Sequence, residues 1–180
     1  AFRELLECDF LFDRRQCRRK RLVWVQIGRN SEFIKWFDPS KRRSWDVLCN
    51  WYDFSAVDLS LGDMALAQRG TKFTGMAQAL RLYEKHFDQY EQIICLDDDI
   101  LFEHAEIDVL LDTAEANDLS LFQSALTHDS FCIWPDITNR SNASFKLFNT
   151  VEIMMPGFQM DFLKSILLLF DKSISGFGID

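Results

Sequence analysis

The sequence lacks an apolar run of the roughly 20 residues that a membrane-spanning helix needs, and it opens without a signal-peptide pattern. It also lacks an excess of basic residues, since 20 Lys and Arg stand against 28 Asp and Glu, a formal net charge of -8. Binding to a phosphate backbone needs a basic surface, so nucleic acid is not expected as a partner. No transmembrane segment is expected either.

Paired cysteines are also missing. The five cysteines are odd in number, widely spaced and contain no Cys-x-x-Cys pair. Neither a disulfide framework nor a zinc knuckle follows from such spacing. A reducing, cytoplasmic location is the simpler expectation.

What the sequence does contain predicts one globular domain over residues 1–180. Hydrophobic residues make up 48% of the chain, with 17 Phe and 5 Trp, and this length allows one sizeable core. The chain begins with Ala1 and stops at Asp180, which suggests a domain trimmed at its C-terminus. Residues 1–21 are expected to be a basic lead-in segment. Its run at residues 14–21 is expected to be solvated, with peripheral contact to an anionic membrane as the alternative.

Apolar patterning predicts the regular elements. Strands are expected at residues 22–27, 45–52, 93–96, 119–124, 131–134 and 146–155. Helices are expected at residues 31–37, 72–90, 107–117 and 160–170, while residues 59–68 are expected to be a loop or a short helix. Strands that alternate with helices favour an α/β fold with a mostly parallel central sheet, in which ligands bind beyond the carboxyl ends of the strands.

The most informative stretch is the acidic sequence that follows the predicted strand at residues 93–96. Three consecutive carboxylates, Asp97, Asp98 and Asp99, lie between apolar residues. Strand periodicity predicts that Asp97 and Asp99 point to one side and Asp98 to the other. Two such carboxylates suit Mg²⁺, because substrate phosphates often complete the coordination shell of this ion. The alternative is a solvated turn, or a cap of the next helix.

Two further strand ends carry polar residues. Gly28 and Arg29 follow the first predicted strand, and Asp53 follows the second. A glycine permits close approach of the backbone, and a carboxylate can accept hydrogen bonds from a ribose or a base. Neither a Gly-x-Gly-x-x-Gly motif nor a Gly-x-x-x-x-Gly-Lys-Ser/Thr motif occurs, which argues against dinucleotide binding and P-loop hydrolysis.

A strand that leads into Asp-x-Asp resembles the GT-A class of nucleotide-sugar-dependent glycosyltransferases. More closely, the chain resembles a glycosyltransferase-like family of bacterial and plant proteins of unknown function. The matching stretches run in order over residues 22–180 and lie at residues 70–73, 96–100, 151–156 and 176–180. In the closing Gly-aromatic-Gly-apolar-Asp motif, Phe177 stands where Trp is expected.

The resemblance implies a GT-A-like, Rossmann-like three-layer α/β/α sandwich that transfers a sugar from a nucleotide-diphosphate donor to a glycan or other hydroxyl acceptor. Mn²⁺ or Mg²⁺ held by Asp97 and Asp99 would stabilise the departing diphosphate. The implied nucleotide-sugar-binding residues are Gly28, Arg29, Asp53, Lys72, Asp97 and Asp98, with Lys72 opening a helix where it can meet phosphate.

Asp180 is the candidate general base on the acceptor hydroxyl, and Glu152 is the competing catalytic carboxylate. If the enzyme retains anomeric configuration, Asp180 would only position the substrate. Trp134, Phe158 and Phe177 are candidates for stacking on sugar rings. His104, at a helix start, is expected at the surface. The alternatives to a glycosyltransferase are a non-catalytic glycan- or nucleotide-binding domain on the same fold, and a nucleotidyltransferase, which would release pyrophosphate.

Overall fold

A computed structural model describes residues 7–132, 134–139 and 143–172 of the chain. The strands are β1 (Cys8–Asp13), β2 (Arg21–Ile27), β3 (Trp45–Trp51), β4 (Met64–Gln68), β5 (Gln92–Leu96), β6 (Leu121–Phe122) and β7 (Gly157–Gln159). The helices are α1 (Phe33–Trp36), α2 (Lys72–Leu82), α3 (Glu84–Phe87), α4 (His104–Ala116) and α5 (Met160–Phe170). Short 3-10 turns lie at Leu59–Leu61 and Pro135–Ile137.

The seven strands form one mixed sheet in the order β1-β4-β3-β2-β5-β7-β6. The four central strands β4, β3, β2 and β5 are parallel to one another. The outer pairings, β1 with β4, β5 with β7 and β6 with β7, are antiparallel. The α/β class is confirmed, whereas the expected mostly parallel sheet is corrected to a mixed one. Every antiparallel pairing involves β1 or β7, and neither strand was predicted from the sequence.

Each face of the sheet carries its own apolar core. Leu22 and Trp24 of β2 face one core with α2 and α5, while Val23 and Val25 face the other with α1 and α4. The central strands are therefore buried on both sides, which explains their nearly continuous apolar sequences.

The predicted helix at residues 72–90 is broken at Tyr83 into α2 and α3. The Tyr83 hydroxyl donates a hydrogen bond to the Cys8 carbonyl at 2.8 Å and accepts one from the Phe10 N–H at 3.3 Å. Contact with the edge strand β1 thus coincides with the break. The apolar spacing continued past Tyr83 because α3 keeps Phe87 on the buried side.

Two predicted strands were wrong, and strand β4 was missed. Residues 59–68 contain β4, which sequence patterning missed because the Met-Ala-Leu-Ala-Gln run is short and rich in alanine. Residues 146–155 form no strand; Leu147 and Phe148 are exposed there, and the chain joins the sheet only at Gly157. The described residues between 131 and 134 form no strand either.

The expected basic lead-in segment contains β1, so it is part of the sheet rather than an appendage. Cations of the run at 14–21 largely meet carboxylates. Arg19 contacts the fully buried Asp46 at 2.6 Å, Lys20 contacts Glu91 at 2.6 Å, and Arg21 contacts Asp112 at 2.6 Å. These three residues of the run are therefore paired with carboxylates of the fold, which goes beyond the expected solvated lead-in.

Among the helices in the described ranges, none is both long enough and apolar enough to cross a bilayer.

Candidate functional site

Three neighbouring parallel strands end at one edge of the sheet. Ile27 of β2 lies opposite Trp51 of β3, and Val25 of β2 lies opposite Leu96 of β5. The residues that follow these strands are Gly28, Asp53 and the turn at residues 97–99, and the structure brings them together. We call this group of residues the acidic edge.

Tyr52, which sequence reasoning did not single out, connects the end of β3 to the acidic turn. Its hydroxyl donates a hydrogen bond to Asp98 Oδ2 at 2.5 Å. This hydrogen bond, together with burial and the negative charge of nearby carboxylates, raises the pKa of Tyr52. Tyr52 therefore stays a neutral donor at physiological pH. Its position directly before Asp53 is the only sequence signal that points to it.

Gly28 lets two side chains pack closely over the end of β2. A Cβ atom at position 28 would lie 2.7 Å from Tyr52 Oη and 2.9 Å from Asp53 Oδ2. Both distances are shorter than real Cβ contacts, so a side chain here would displace the exposed Tyr52 and Asp53 side chains from these positions. The predicted close approach at Gly28 is therefore to Tyr52 and Asp53 of the protein itself.

Asp53 is held by backbone and hydroxyl donors. Its Oδ2 accepts a hydrogen bond from the Arg29 N–H at 3.0 Å, and its Oδ1 accepts one from the Ser55 hydroxyl at 2.7 Å. Burial alone would raise the pKa of Asp53, but these hydrogen bonds and the Arg29 charge lower it below its ordinary value. Asp53 is thus an exposed, ionised acceptor next to the exposed Arg29 side chain.

Lys72, at the start of α2, forms an ion pair with Asp97 of the acidic edge. Lys72 Nζ contacts Asp97 Oδ1 at 2.7 Å, with 11% and 35% of the two side chains exposed. Lys72 also donates a hydrogen bond to the carbonyl of Ile153. Burial raises the pKa of Asp97, the Lys72 charge opposes this, and Asp99 and Asp98 add to it. Lys72 was expected to meet a phosphate; in this structure its partner is a carboxylate.

Asp99 is exposed and has no hydrogen bond or ion pair to any other residue within the described ranges. β5 ends at Leu96, so strict alternation does not extend to residues 97–99, which form a turn. Asp97 and Asp98 nevertheless have different partners, Lys72 and Tyr52. In the part of the chain that the structure describes, no group of three or more His, Cys, Asp or Glu could by itself hold a metal ion. A metal here would need oxygens from a ligand, which is the usual arrangement for Mg²⁺.

A row of buried amides lies beneath the acidic edge. Asn50 of β3 donates to Gln26 Oε1 at 2.8 Å and to Gln68 Oε1 at 2.9 Å, and all three residues are buried. Gln26 precedes the end of β2 by one residue, and the β2–β5 register carried one step further places it beside Asp97. Sequence reasoning missed this amide row. Polar residues near the ends of otherwise apolar strands were the available signal.

The two candidate catalytic carboxylates stand differently. Glu152 lies in no strand, contrary to the prediction. Its backbone N–H donates a hydrogen bond to Gln123 Oε1 at 2.5 Å. The next residue, Ile153, has the carbonyl that accepts a hydrogen bond from Lys72. Glu152 is therefore next to the acidic edge. Asp180 and the closing motif at residues 176–180 lie outside the described residues.

Comparisons with models of protein families, with curated proteins and with solved structures found no match to this chain.

Proposed function

We propose that this protein is a metal-dependent glycosyltransferase of GT-A-like, three-layer fold that uses a nucleotide-diphosphate sugar as donor. The proposal is supported mainly by one observation: four aspartates and Lys72 meet at the carboxyl ends of parallel strands. Ligands of open α/β sheets bind at such ends. The free cysteines are compatible with the expected cytoplasmic location.

The acidic edge offers distinct groups for each part of a donor. Asp53 is an ionised acceptor suited to ribose or base hydroxyl and N–H groups, and the exposed Arg29 next to it suits a phosphate. Asp99 has a carboxylate open for a cation, and Asp97 lies two residues before it. Mn²⁺ or Mg²⁺ at Asp97 and Asp99 would act as a Lewis acid on the diphosphate.

Lys72 has two alternative partners in this proposal. Without a ligand it neutralises Asp97. With a diphosphate and a metal ion bound, Asp97 would serve as a metal ligand, and the Lys72 ammonium at the start of α2 would be free to pair with a phosphate oxygen. Glu152, whose neighbour Ile153 accepts a hydrogen bond from Lys72, is one candidate for accepting the proton of an acceptor hydroxyl, and Asp180 is the other.

Thermal unfolding with a panel of nucleoside diphosphates and nucleotide sugars, with and without Mn²⁺, tests the donor site. One nucleotide at a hundred times its dissociation constant should stabilise the fold by about 2.7 kcal/mol. The shift should require Mn²⁺ and disappear in Asp99→Ala. Asp161→Ala is the matched control, because α5 begins at the opposite edge, where Gln159 pairs with Gln92 at the start of β5.

No shift with any nucleotide would refute the donor site. A nucleotide-dependent stabilisation that needs no Mn²⁺ and persists in Asp99→Ala would favour a binding domain without catalysis. If turnover with a nucleoside triphosphate releases pyrophosphate instead of a nucleoside diphosphate, the protein is a nucleotidyltransferase and the proposal is wrong.

A further inference from the structure

An open cleft of about 520 Å³ lies on the side of the sheet that α1 and α4 cover. Its walls come from the end of α1, from the loop that leads into β3 and from the start of α4. None of its residues belongs to the acidic edge. This volume falls in the range that small-molecule sites occupy, so we call it the α4 cleft and ask which ligand its side chains suit.

Two cationic side chains of the α4 cleft, Lys41 and Arg42, have no carboxylate partner. Both are exposed, and neither forms an ion pair or a side-chain hydrogen bond with any residue in the described ranges. The next residue, Arg43, is by contrast paired with Asp63 at 2.7 Å. Lys41 and Arg42 are therefore available to an anionic ligand.

The two carboxylates of the α4 cleft already have donors within the protein. The Glu103 side chain accepts a hydrogen bond from the Glu106 N–H, in the capping box that opens α4. Asp108 Oδ1 accepts hydrogen bonds from the Ser44 N–H at 3.2 Å and from the Ser44 hydroxyl. Both carboxylates are thus held by α4 and by the chain before β3, and an anion does not have to displace them from a cation.

The start of α4 supplies further donors. The first N–H groups of a helix have no carbonyl partner inside it, and those of His104 and Ala105, which both line the cleft, have no other partner in the described part of the chain. The His104 side chain is 7% exposed, and neither of its covered ring nitrogens has a hydrogen-bond partner there. A buried polar group without a partner is costly. A ligand oxygen at this end of the cleft would supply the missing acceptor once the ring turns towards it.

We propose that the α4 cleft binds a small-molecule phosphate monoester, at a site separate from that of the nucleotide sugar. Lys41 and Arg42 hold the phosphate together with the first N–H groups of α4. Trp36 and Phe102 form the apolar wall against which the organic part of the ester lies. The Trp36 indole N–H already donates to the Ile100 carbonyl at 3.0 Å, so its ring offers the ligand apolar contact only.

The number and arrangement of the donors favour a phosphate over a carboxylate. A phosphate monoester has three terminal oxygens and a charge of about -1.5 to -2 at neutral pH, so it can engage two cations and helix N–H groups at once. A carboxylate has fewer oxygens and a single charge. A concave site on a chain with a net charge of -8 is also a poor match for the surface of an anionic membrane.

Imidazole ¹⁵N NMR in buffer without nucleotide or metal ion tests the proposal. The chain has only three histidines, so the ring signals of His104 can be assigned by their loss in His104→Phe. Phenyl phosphate should shift the His104 signals saturably and leave those of His86 and His128 in place. Inorganic phosphate should do the same with lower affinity, because it has no organic part to contact the apolar wall.

Substitutions in the cleft should act in proportion to the charge they remove. Lys41→Ala and Arg42→Ala should each weaken the binding of phenyl phosphate about five- to tenfold. The matched control is Lys85→Ala, which removes an exposed lysine of α3 on the other core face and should leave binding unchanged. Thermal unfolding of each variant checks that it is folded.

No saturable shift of the His104 signals would overturn the inference. So would an equal loss of binding in Lys85→Ala and Arg42→Ala, because the attraction would then be to charge in general. Cosedimentation with phosphatidic acid vesicles that requires Arg42, without binding of the soluble ester, would assign the cleft to a lipid headgroup and also overturn it.

The inference does not depend on the proposed function, and the two can fail separately. Asp99→Ala should abolish the Mn²⁺-dependent stabilisation by a nucleotide and leave the binding of phenyl phosphate intact. Arg42→Ala should do the reverse. Phenyl phosphate binding without any nucleotide effect would retain the α4 cleft and refute the transferase.

Discussion

Gly75→Ala should disturb both the fold and the acidic edge. Gly75 lies in the first turn of α2, three residues after Lys72, and faces Gln68 at the end of β4. A Cβ atom at position 75 would lie far inside 3.0 Å of the Gln68 side-chain amide. Gln68 is 1% exposed and accepts a hydrogen bond from Asn50 at 2.9 Å, so it has little room to move away. The substitution must therefore displace α2, and with it Lys72, or break up the amide row.

The expected magnitude follows from three opposing effects. Alanine is better than glycine inside a helix by about 1 kcal/mol. Overpacking a buried contact costs about 1 to 3 kcal/mol, and leaving the Asn50–Gln68 amides without their hydrogen bond costs about another 1 to 3 kcal/mol. We expect Gly75→Ala to lower the free energy of unfolding by about 2 to 3 kcal/mol, and Tm by roughly 5 to 10 °C for a chain of this size.

Urea unfolding followed by tryptophan fluorescence measures this free energy. The matched control is the same substitution in a Gln68→Ala background, where the steric conflict is absent and Gly75→Ala should cost nothing or stabilise slightly. The double-mutant cycle isolates the contact. If Gly75→Ala is as stable as the wild type, or costs the same in both backgrounds, the close packing of α2 on β4 is not what requires glycine here.

Three further predictions concern ionisable groups. The pKa of Asp13 is lowered to about 2, chiefly by its hydrogen bonds with Arg15. Asp13 therefore stabilises the fold above about pH 4, and this stabilisation is lost as the pH falls towards 2. Asp13→Asn should lower the free energy of unfolding at pH 7 by about 1 kcal/mol after solvent screening, and stability measured against pH should then fall less steeply in acid. Burial raises the pKa of Asp97, so the folded state holds its proton more tightly than the unfolded chain, and stability should fall as pH rises above about 4. The difference in unfolding free energy between wild type and Asp97→Asn, measured against pH, should show this slope. A slope of opposite sign would contradict the assigned burial. His104 is buried against aromatic rings, and neither ring nitrogen has a hydrogen-bond partner within the described ranges. His104→Phe should keep the packing and raise the free energy of unfolding in urea by about 1 kcal/mol. A loss of stability instead would point to a bound water or an altered ring orientation.

The central part of the fold could be predicted from the sequence because its physical signals are local. Strands β2, β3 and β5 are apolar runs bounded by turn residues, and α5 has clear helical spacing. The wrong predictions lie where tertiary contacts decide. β1 lies in a basic stretch, β4 is rich in alanine, and the helix break at Tyr83 coincides with a hydrogen bond to Cys8, 75 residues away.

His104 shows the same limit for a single side chain. At the sequence level it opens a helix and was expected at the surface, yet it is buried, with ring centres 5.8 Å from Phe37 and 5.1 Å from Trp45. The rings that cover it come from the chain before and within β3, and spacing along α4 carries no information about them.

For the acidic edge, sequence reasoning identified which strand ends carry polar residues, and the parallel pairing of β2, β3 and β5 brings those ends together. It could not assign partners. Lys72 was matched to a phosphate but contacts Asp97, and Tyr52 was not considered although it binds Asp98. Partners depend on side-chain reach across the gap between elements, which the register of the strands alone does not determine.

The electrostatics of the acidic edge give a reason to expect a cation there. Four carboxylates at residues 53 and 97–99 are gathered with two cationic side chains, Lys72 and Arg29, which leaves an excess of two negative charges. The pKa of Tyr52 is raised chiefly by its hydrogen bond to Asp98 and that of Asp97 chiefly by burial, and the neighbouring negative charges add to both. A fold selected only for stability would gain by replacing some of these aspartates, since like charges at such distances repel. A divalent cation that arrives with a diphosphate would bring positive charge to the carboxylates and give Lys72 a phosphate partner, so the same repulsion that disfavours the empty edge would strengthen binding of the donor.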